Sequence, residues 1–508
     1  MQIIDCDASF GFRVNSPCST SAGDLVRLEK AQGVSYVMAY SIKARAYDAR
    51  EGNDDTLKAA GEYDELLPVA CVDPRAQNHL EDEIARVAGL GFVAVRVFPE
   101  LQGWSPDSVL FTRIARACNE HGMPLLISVK AFGTASSVVR RAEETTNPIV
   151  LLAPNYAMLS EALSAAAVRL NTLVSTSQFI TPGSVEIAVE AIGARNLVFG
   201  AMCPDMCIRP PVNMILGANI ADSDKSAILS GNIKRLINSQ AARLNRTLSE
   251  VVDDKVYATR RFSRSIIDVH GHTGPWPFPM VDADGACIVD LMRRRGIAAT
   301  MLSSTKAIVN DFVEGNAELA HDVQTCDNLY GYVTVNPNYP EKSLEEIERY
   351  IEMPQFVGVK FHPSYAGISI DSEATRKLVA GFAHRKAPFL IHTWGPGEPT
   401  KVMKLAKEFP EQPFIMGHGG ADAWKEAADV INNTANTYTE FCNSNVEPGR
   451  IRKTIDRVGF KRVLFGTDSG LFDPAFDIGF YEEAELTPME QAAILYDNAA
   501  ALFGLDLI

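Results

Sequence analysis

Seven residues in the second half of the chain have types and spacing suited to metal chemistry: His270, His272, Lys360, His362, His392, His418 and Asp468. Each lies at or near the C-terminal end of a short β-branched or apolar run. A divalent ion such as zinc takes imidazole nitrogens and carboxylate oxygens as ligands at about 2 Å, and keeps a position open for water when the site is catalytic. His270, His272, His392 and Asp468 meet that need. His270 and His272 stand two apart, so on a strand they point to the same side, as do Lys360 and His362. A lone His-x-His carries little weight, but five of the nine histidines end runs in this one half. The other four, His79, His121, His321 and His384, fall on predicted helices or loops and are assigned no function.

The elements that must position these residues emerge when the chain is laid against itself at an offset of about 263 to 266 positions, where it reads as one sequence written twice. Ile3-Ile4-Asp5-Cys6-Asp7-Ala8-Ser9 lies on Ile266-Ile267-Asp268-Val269-His270-Gly271-His272, Glu51-Gly52-Asn53 on Glu314-Gly315-Asn316, and Asn232 on Asn498. Arg96 and Phe98 oppose Lys360 and His362, Ser128 opposes His392, Ala153 opposes His418, and Met202 opposes Asp468. All five run-end histidines thus have non-histidine counterparts in the first copy.

Within the second copy the apolar runs fall near 266–271, 297–303, 330–335, 356–361, 388–391, 413–417, 436–441 and 462–467, with stretches of helical spacing between them. The first copy has the same cadence, near 2–7, 33–40, 67–72, 92–98, 124–129, 148–153, 170–175 and 195–201. Eight βα units in about 245 residues predict a (β/α)8 barrel, so the fold class is α/β, two tandem barrels of the TIM type. Residues 1–240 form the first, 241–263 a polar connector, and 264–508 the second. Strand ends gather at one mouth of such a barrel, which is where the seven residues would meet.

Composition limits the remaining classes. An apolar fraction of 46% with 22% charged residues suits a soluble globular chain, and no apolar run approaches the roughly 18 to 20 residues of a membrane helix. A net charge of −15 disfavours nucleic acid as a partner, because neutralising phosphates takes clustered Lys and Arg. The short basic runs Arg260-Arg261 and Arg293-Arg294-Arg295 are read as a linker and a solvated helix end. Nine scattered cysteines, with no basic-then-apolar leader, predict a cytoplasmic protein with mostly buried thiols. The expected partner is a small-molecule substrate, and the two barrels are expected to pair as a pseudo-dimer within the chain, an arrangement compatible with homo-oligomers.

The second copy resembles the amidohydrolase superfamily, in the branch called amidohydrolase-related or amidohydrolase family 2. The resemblance rests on Asp268-Val269-His270-Gly271-His272, Gly358-Val359-Lys360-Phe361-His362-Pro363, Leu390-Ile391-His392-Thr393, Gly417-His418-Gly419-Gly420, Phe465-Gly466-Thr467-Asp468 and Asn498-Ala499-Ala500-Ala501-Leu502-Phe503-Gly504, in family order. It implies a metal-dependent hydrolase that uses a metal-activated water on an amide, ester, lactone or related bond of a small organic molecule. The metal is expected to be Zn2+, with one ion favoured over two, held by His270, His272, His392 and Asp468. Asp468 then accepts the water's proton, and His418 bonds the water or steadies the oxyanion. Lys360 is carboxylated in some superfamily members, so with His362 it is assigned to a second metal or to substrate. Relatives that decarboxylate small carboxylic acids make a lyase the alternative, and a non-catalytic metal-binding or scaffold subunit is the third reading.

Four further residues are weaker candidates. Lys306, Trp276 and Trp394 are assigned to substrate, although Lys43 opposes Lys306 in the first copy and packing explains each tryptophan equally well. Glu440 is a further inward-facing acid. At the first copy's mouth, Asp7, Ser9, Arg96, Phe98, Ser128, Ala153 and Met202 cannot chelate zinc. That half is therefore read either as a degenerate barrel without a metal site or as a separate ligand site, where Arg96 would suit a carboxylate or phosphate.

Overall fold

The computed structural model describes residues 1–14, 19–75, 79–244, 246, 248, 265–277 and 283–505. The chain divides into two compact units, Met1–Thr259 and Arg260–Ile508. The division falls inside the connector expected at 241–263; the helix Asn232–Ala241 runs up to its start, and most of the rest lies outside the described residues.

In the first unit eight strands lie in sequence order in one parallel sheet: β1 (Ile4–Phe10), β2 (Tyr36–Ser41), β3 (Leu66–Cys71), β4 (Ala94–Val97), β5 (Leu125–Ser128), β6 (Ile149–Leu152), β7 (Thr172–Ser175) and β8 (Leu197–Val198). The sheet closes on itself, because the Cys6 amide donates to the Phe199 carbonyl at 3.1 Å and the Ser9 amide to the Cys203 carbonyl at 3.0 Å. The second unit repeats this with β9 (Ile266–Thr273), β10 (Ile297–Ser304), β11 (Leu329–Val335), β12 (Phe356–Phe361), β13 (Phe389–Trp394), β14 (Phe414–Gly420) and β15 (Thr437–Thr439). The eighth run expected at 462–467 is extended chain rather than a laddered strand: it makes parallel bridges at Val463 and Ser469, and its carbonyls accept from Val269 at 2.9 Å and from His272 at 2.7 Å.

The residues that the two copies share build this frame. Asn53 clamps β3, donating to the Cys71 carbonyl at 2.9 Å and accepting from its amide at 2.8 Å; Asn316 does the same to Thr334 at 3.0 and 2.9 Å. The preceding glycines allow the close approach that this requires, since a Cβ on Gly52 or Gly315 would fall 2.0 or 2.3 Å from the amide nitrogen of Ala44 or Ala307. Asn232 donates to the carbonyls of Ala194 and Leu197, and Asn498 to those of Phe460 and Val463, each at 2.8 Å. These bonds satisfy backbone oxygens that burial would otherwise leave unpaired, at a cost of ~1–3 kcal/mol each.

Apolar side chains fill each barrel and tie it to its terminal helix. Ile4, Cys6, Met38, Leu67 and Val69 pack with Ile233 and Ile237, while Ile267, Val269, Met301, Tyr332 and Leu390 pack with Ala499. Asp5 and Asp268, wholly buried at the foot of each first strand, accept from the backbone on both sides of the closure. Asp5 takes the amides of Asp7 and Ala201 at 2.9 Å, and Asp268 those of His270 and Thr467 at 3.1 and 3.0 Å. Burial pushes their carboxyls up, to about 6 for Asp5 and about 7 for Asp268.

Candidate metal centre

The register of β9 against β10 shifts between Asp268 and Gly271, an irregularity of the kind that re-aims side chains at barrel rims. His270 lies within it and His272 just past it; both are buried, and their Nε2 atoms lie 3.8 and 2.8 Å from Asp468 Oδ1. Asp468 reaches this place through a left-handed backbone, φ 56°, and His418 does likewise with φ 62°. Burial raises the Asp468 carboxyl, but the hydrogen bond from His272 and the neighbouring histidine charges outweigh it and hold the group well below the usual carboxylate range.

Second contacts fix the two imidazoles. His270 Nδ1 lies 2.8 Å from Glu440 Oε1, while its Nε2 is 2.7 Å from Lys360 Nζ. An ammonium can only donate, so Nε2 of His270 is the acceptor and Nδ1 carries the proton to Glu440. His272 Nδ1 is 3.0 Å from the Ser303 hydroxyl. Burial pushes Lys360 down to about 8, against the opposing pull of Asp468. The same cause, with the Lys360 charge, pushes His362 down to about 2. His362 stacks on His392, ring centroids 3.9 Å apart, and its buried Nδ1 has no partner among the described residues.

These residues fit a divalent ion. Ligand atoms about 2.0–2.1 Å from a tetrahedral ion stand roughly 3.4 Å from one another, and the 2.8 and 3.8 Å separations here bracket that value. His270, His272 and Asp468 therefore form one candidate ligand group. His392 stands outside this group, with its Nδ1 2.8 Å from His418 Nε2. His418 Nδ1 in turn sits 2.9 Å from the Cys442 carbonyl.

A second group, His270, His418, Glu440 and Cys442, was not foreseen in full. Cys442 Sγ lies 3.3 Å from His270 Nδ1 and 3.4 Å from His418 Nδ1, and burial raises its thiol well above the ordinary range. Glu440 is wholly buried and accepts from the amides of His418 and Cys442 as well as from His270, so it holds three strand ends together. The signal for Cys442 was present in the repeat, where Glu440-Phe441-Cys442 opposes Ser175-Thr176-Ser177.

Of the weaker candidates, Trp276 packs edge-on against His272 with centroids 4.9 Å apart, and Trp394 lies parallel to His392 at 6.0 Å, still 41% exposed. Both border the histidine cluster. Lys306 is half-buried and bonded to Glu318, as Lys43 is to Asp55 in the first unit. It belongs to the shared frame. Eight cysteines are described, six of them buried, and none forms a disulfide; Cys18 lies outside the described residues, as do Arg260 and Arg261. Arg293, Arg294 and Arg295 end a helix; the first two are exposed as expected of a solvated end, whereas Arg295 is drawn into an ion pair with Asp473 at 2.8 Å. No described helix is long and apolar enough to cross a membrane.

The chain belongs to the amidohydrolase family, whose pattern matches residues 17–238 and again residues 267–505. Both barrels are thus covered by the match. No curated protein matches the chain. Among solved structures it is similar to a 2,6-dihydroxybenzoate decarboxylase from Rhizobium (16% identity, 48% of this chain and 99% of that one, TM-score 0.41). It is also similar to a dihydroxybenzoic acid decarboxylase with bound manganese from a Polaromonas species (18%, 47% and 97%, TM-score 0.39). A third is 5-carboxyvanillate decarboxylase from Sphingomonas paucimobilis (14%, 48% and 99%, TM-score 0.39).

Proposed function

We propose that the second barrel is a metal-dependent hydrolase that attacks an amide, ester, lactone or related bond of a small organic molecule, and that the first barrel holds no metal. The convergence of His270, His272 and Asp468 supports this reading. A divalent ion held by these residues would lower the pKa of water from about 16 toward 7 and polarise a substrate carbonyl. Asp468, kept ionised by its histidine neighbours, accepts the proton of the attacking water and passes it to the leaving group. His418, beside His270 and bonded to His392, hydrogen-bonds the water or steadies the oxyanion. Trp276 and Trp394 border the substrate and limit its access to bulk water.

Metal content and product analysis test this together. Protein purified with divalent ions should retain about one equivalent, and less than about half an equivalent would remove the site as drawn. A screen of small esters, lactones and amides in labelled water should place the label in product. Release of carbon dioxide from a carboxylic acid, without label uptake, would replace hydrolysis by decarboxylation.

A further inference from the structure

The mouth of the first barrel encloses a cavity of about 130 Å³. Arg96 lies against it, its side chain only 7% exposed. One terminal nitrogen of its guanidinium donates to the Asp7 carboxylate and the other to the Ser128 hydroxyl at 3.4 Å. The group packs over the rings of Tyr40 and Phe98, 5.0 and 4.9 Å from their centroids, and its buried Nε has no partner among the described residues. At the rim Arg13 pairs with Asp205, so two of the lining carboxylates are already neutralised.

Two more cations line the cavity and make no ion pair among the described residues. Arg45 reaches the Tyr40 hydroxyl at 3.3 Å and lies 5.7 Å from the Phe98 centroid, and Lys130 is exposed. Against them stands a single unpaired lining carboxylate, Glu100, so the mouth carries one surplus positive charge. Arg45 and Leu101 also line a wider groove of about 1040 Å³, which places the two spaces side by side.

We propose that this mouth binds a small organic monocarboxylate with a flat apolar body. Arg45 and Lys130 take the carboxylate, the guanidinium as a fork that matches two oxygens. The body packs against Phe98, Leu101 and Met202, while Arg96 stays committed to Asp7 and shapes the floor. A single surplus charge with apolar walls favours such an acid over phosphate, whose second charge would face Glu100. The proposal is independent of the metal site in the second barrel.

Benzoate is the probe, benzamide its neutral isostere and inorganic phosphate the competitor, each titrated by calorimetry into full-length protein stripped of divalent ions. Benzoate should bind, benzamide should bind at least about tenfold more weakly, and phosphate should not displace benzoate. The Arg45→Gln/Lys130→Gln double variant should weaken benzoate by at least about tenfold, and His270→Ala should leave it unchanged. Equal affinity for benzoate and benzamide, displacement by phosphate, unaltered binding in the double variant, loss of binding in His270→Ala, or no binding of benzoate would each overturn the proposal. The comparison of benzoate with benzamide needs no variant and stands even if the double variant misfolds.

Discussion

In both barrels the first and fourth strands meet through the same two positions, with opposite chemical results. Asp7 and Arg96 form a closed ion pair, whereas at the same two positions His270 accepts a hydrogen bond from Lys360 through Nε2. Around each pair the frame is the same: Asn53 and Asn316 clamp the third strand, and Asn232 and Asn498 clamp the eighth run. The barrel is therefore specified by residues that neither mouth uses for chemistry. Replacing a handful of side chains converts a ligand set into a salt bridge while the fold is retained.

The sharpest way to break this comparison is to disable the second mouth. His270→Ala or Asp468→Asn should cut kcat/KM by about a thousandfold, since a lost metal removes several kcal/mol of transition-state stabilisation. Bound-ion analysis of the same variants should show the metal gone. Asp7→Ala is the matched change in the first barrel. It leaves the buried Arg96 guanidinium uncompensated and should cost ~3–5 kcal/mol of stability, read by denaturant titration, while activity per folded molecule stays unchanged.

A smaller effect separates ligands from the groups that orient them. Glu440→Gln keeps the size of the side chain but weakens its hold on His270 Nδ1, and should lower metal affinity by about 10–100-fold. The smallest test uses a backbone feature common to both halves. Ala153 and Met202 have φ of 52° and 62°, matching His418 and Asp468 at 62° and 56°. Ala153→Gly removes a Cβ from a left-handed position and should change stability by less than about 1 kcal/mol, with a rise expected. His418→Gly at the equivalent position should abolish activity.

Much of this was legible because the chain supplies its own control. Residues kept in both copies marked the frame, and residues changed at strand ends marked the mouth. The eighth strands were overestimated, because after Val198 and Val463 the backbone bonds across the closure instead of extending a ladder. Sequence periodicity reports apolar extent, and bond partners are set by how the sheet closes. His392 ends a strand as His270 does, and strand position alone placed it at the mouth. Its engagement with His418 depends on side-chain torsions that strand position does not fix. Lys306 was already marked as shared by Lys43, and the two lysines make matching contacts, with Glu318 and Asp55.

The Arg96 and Asp7 pair also decides how each half responds to metal supply. A ligand that binds only the folded state adds stability with its concentration, ~1.4 kcal/mol for each tenfold rise above the dissociation constant. On the proposed reading the second barrel is subject to that dependence, and its resistance to unfolding tracks the free ion level. The first barrel has a covalently tethered cation in the corresponding place. On the same reading its charge balance is fixed at synthesis, and a chelator or metal starvation should leave its stability unchanged.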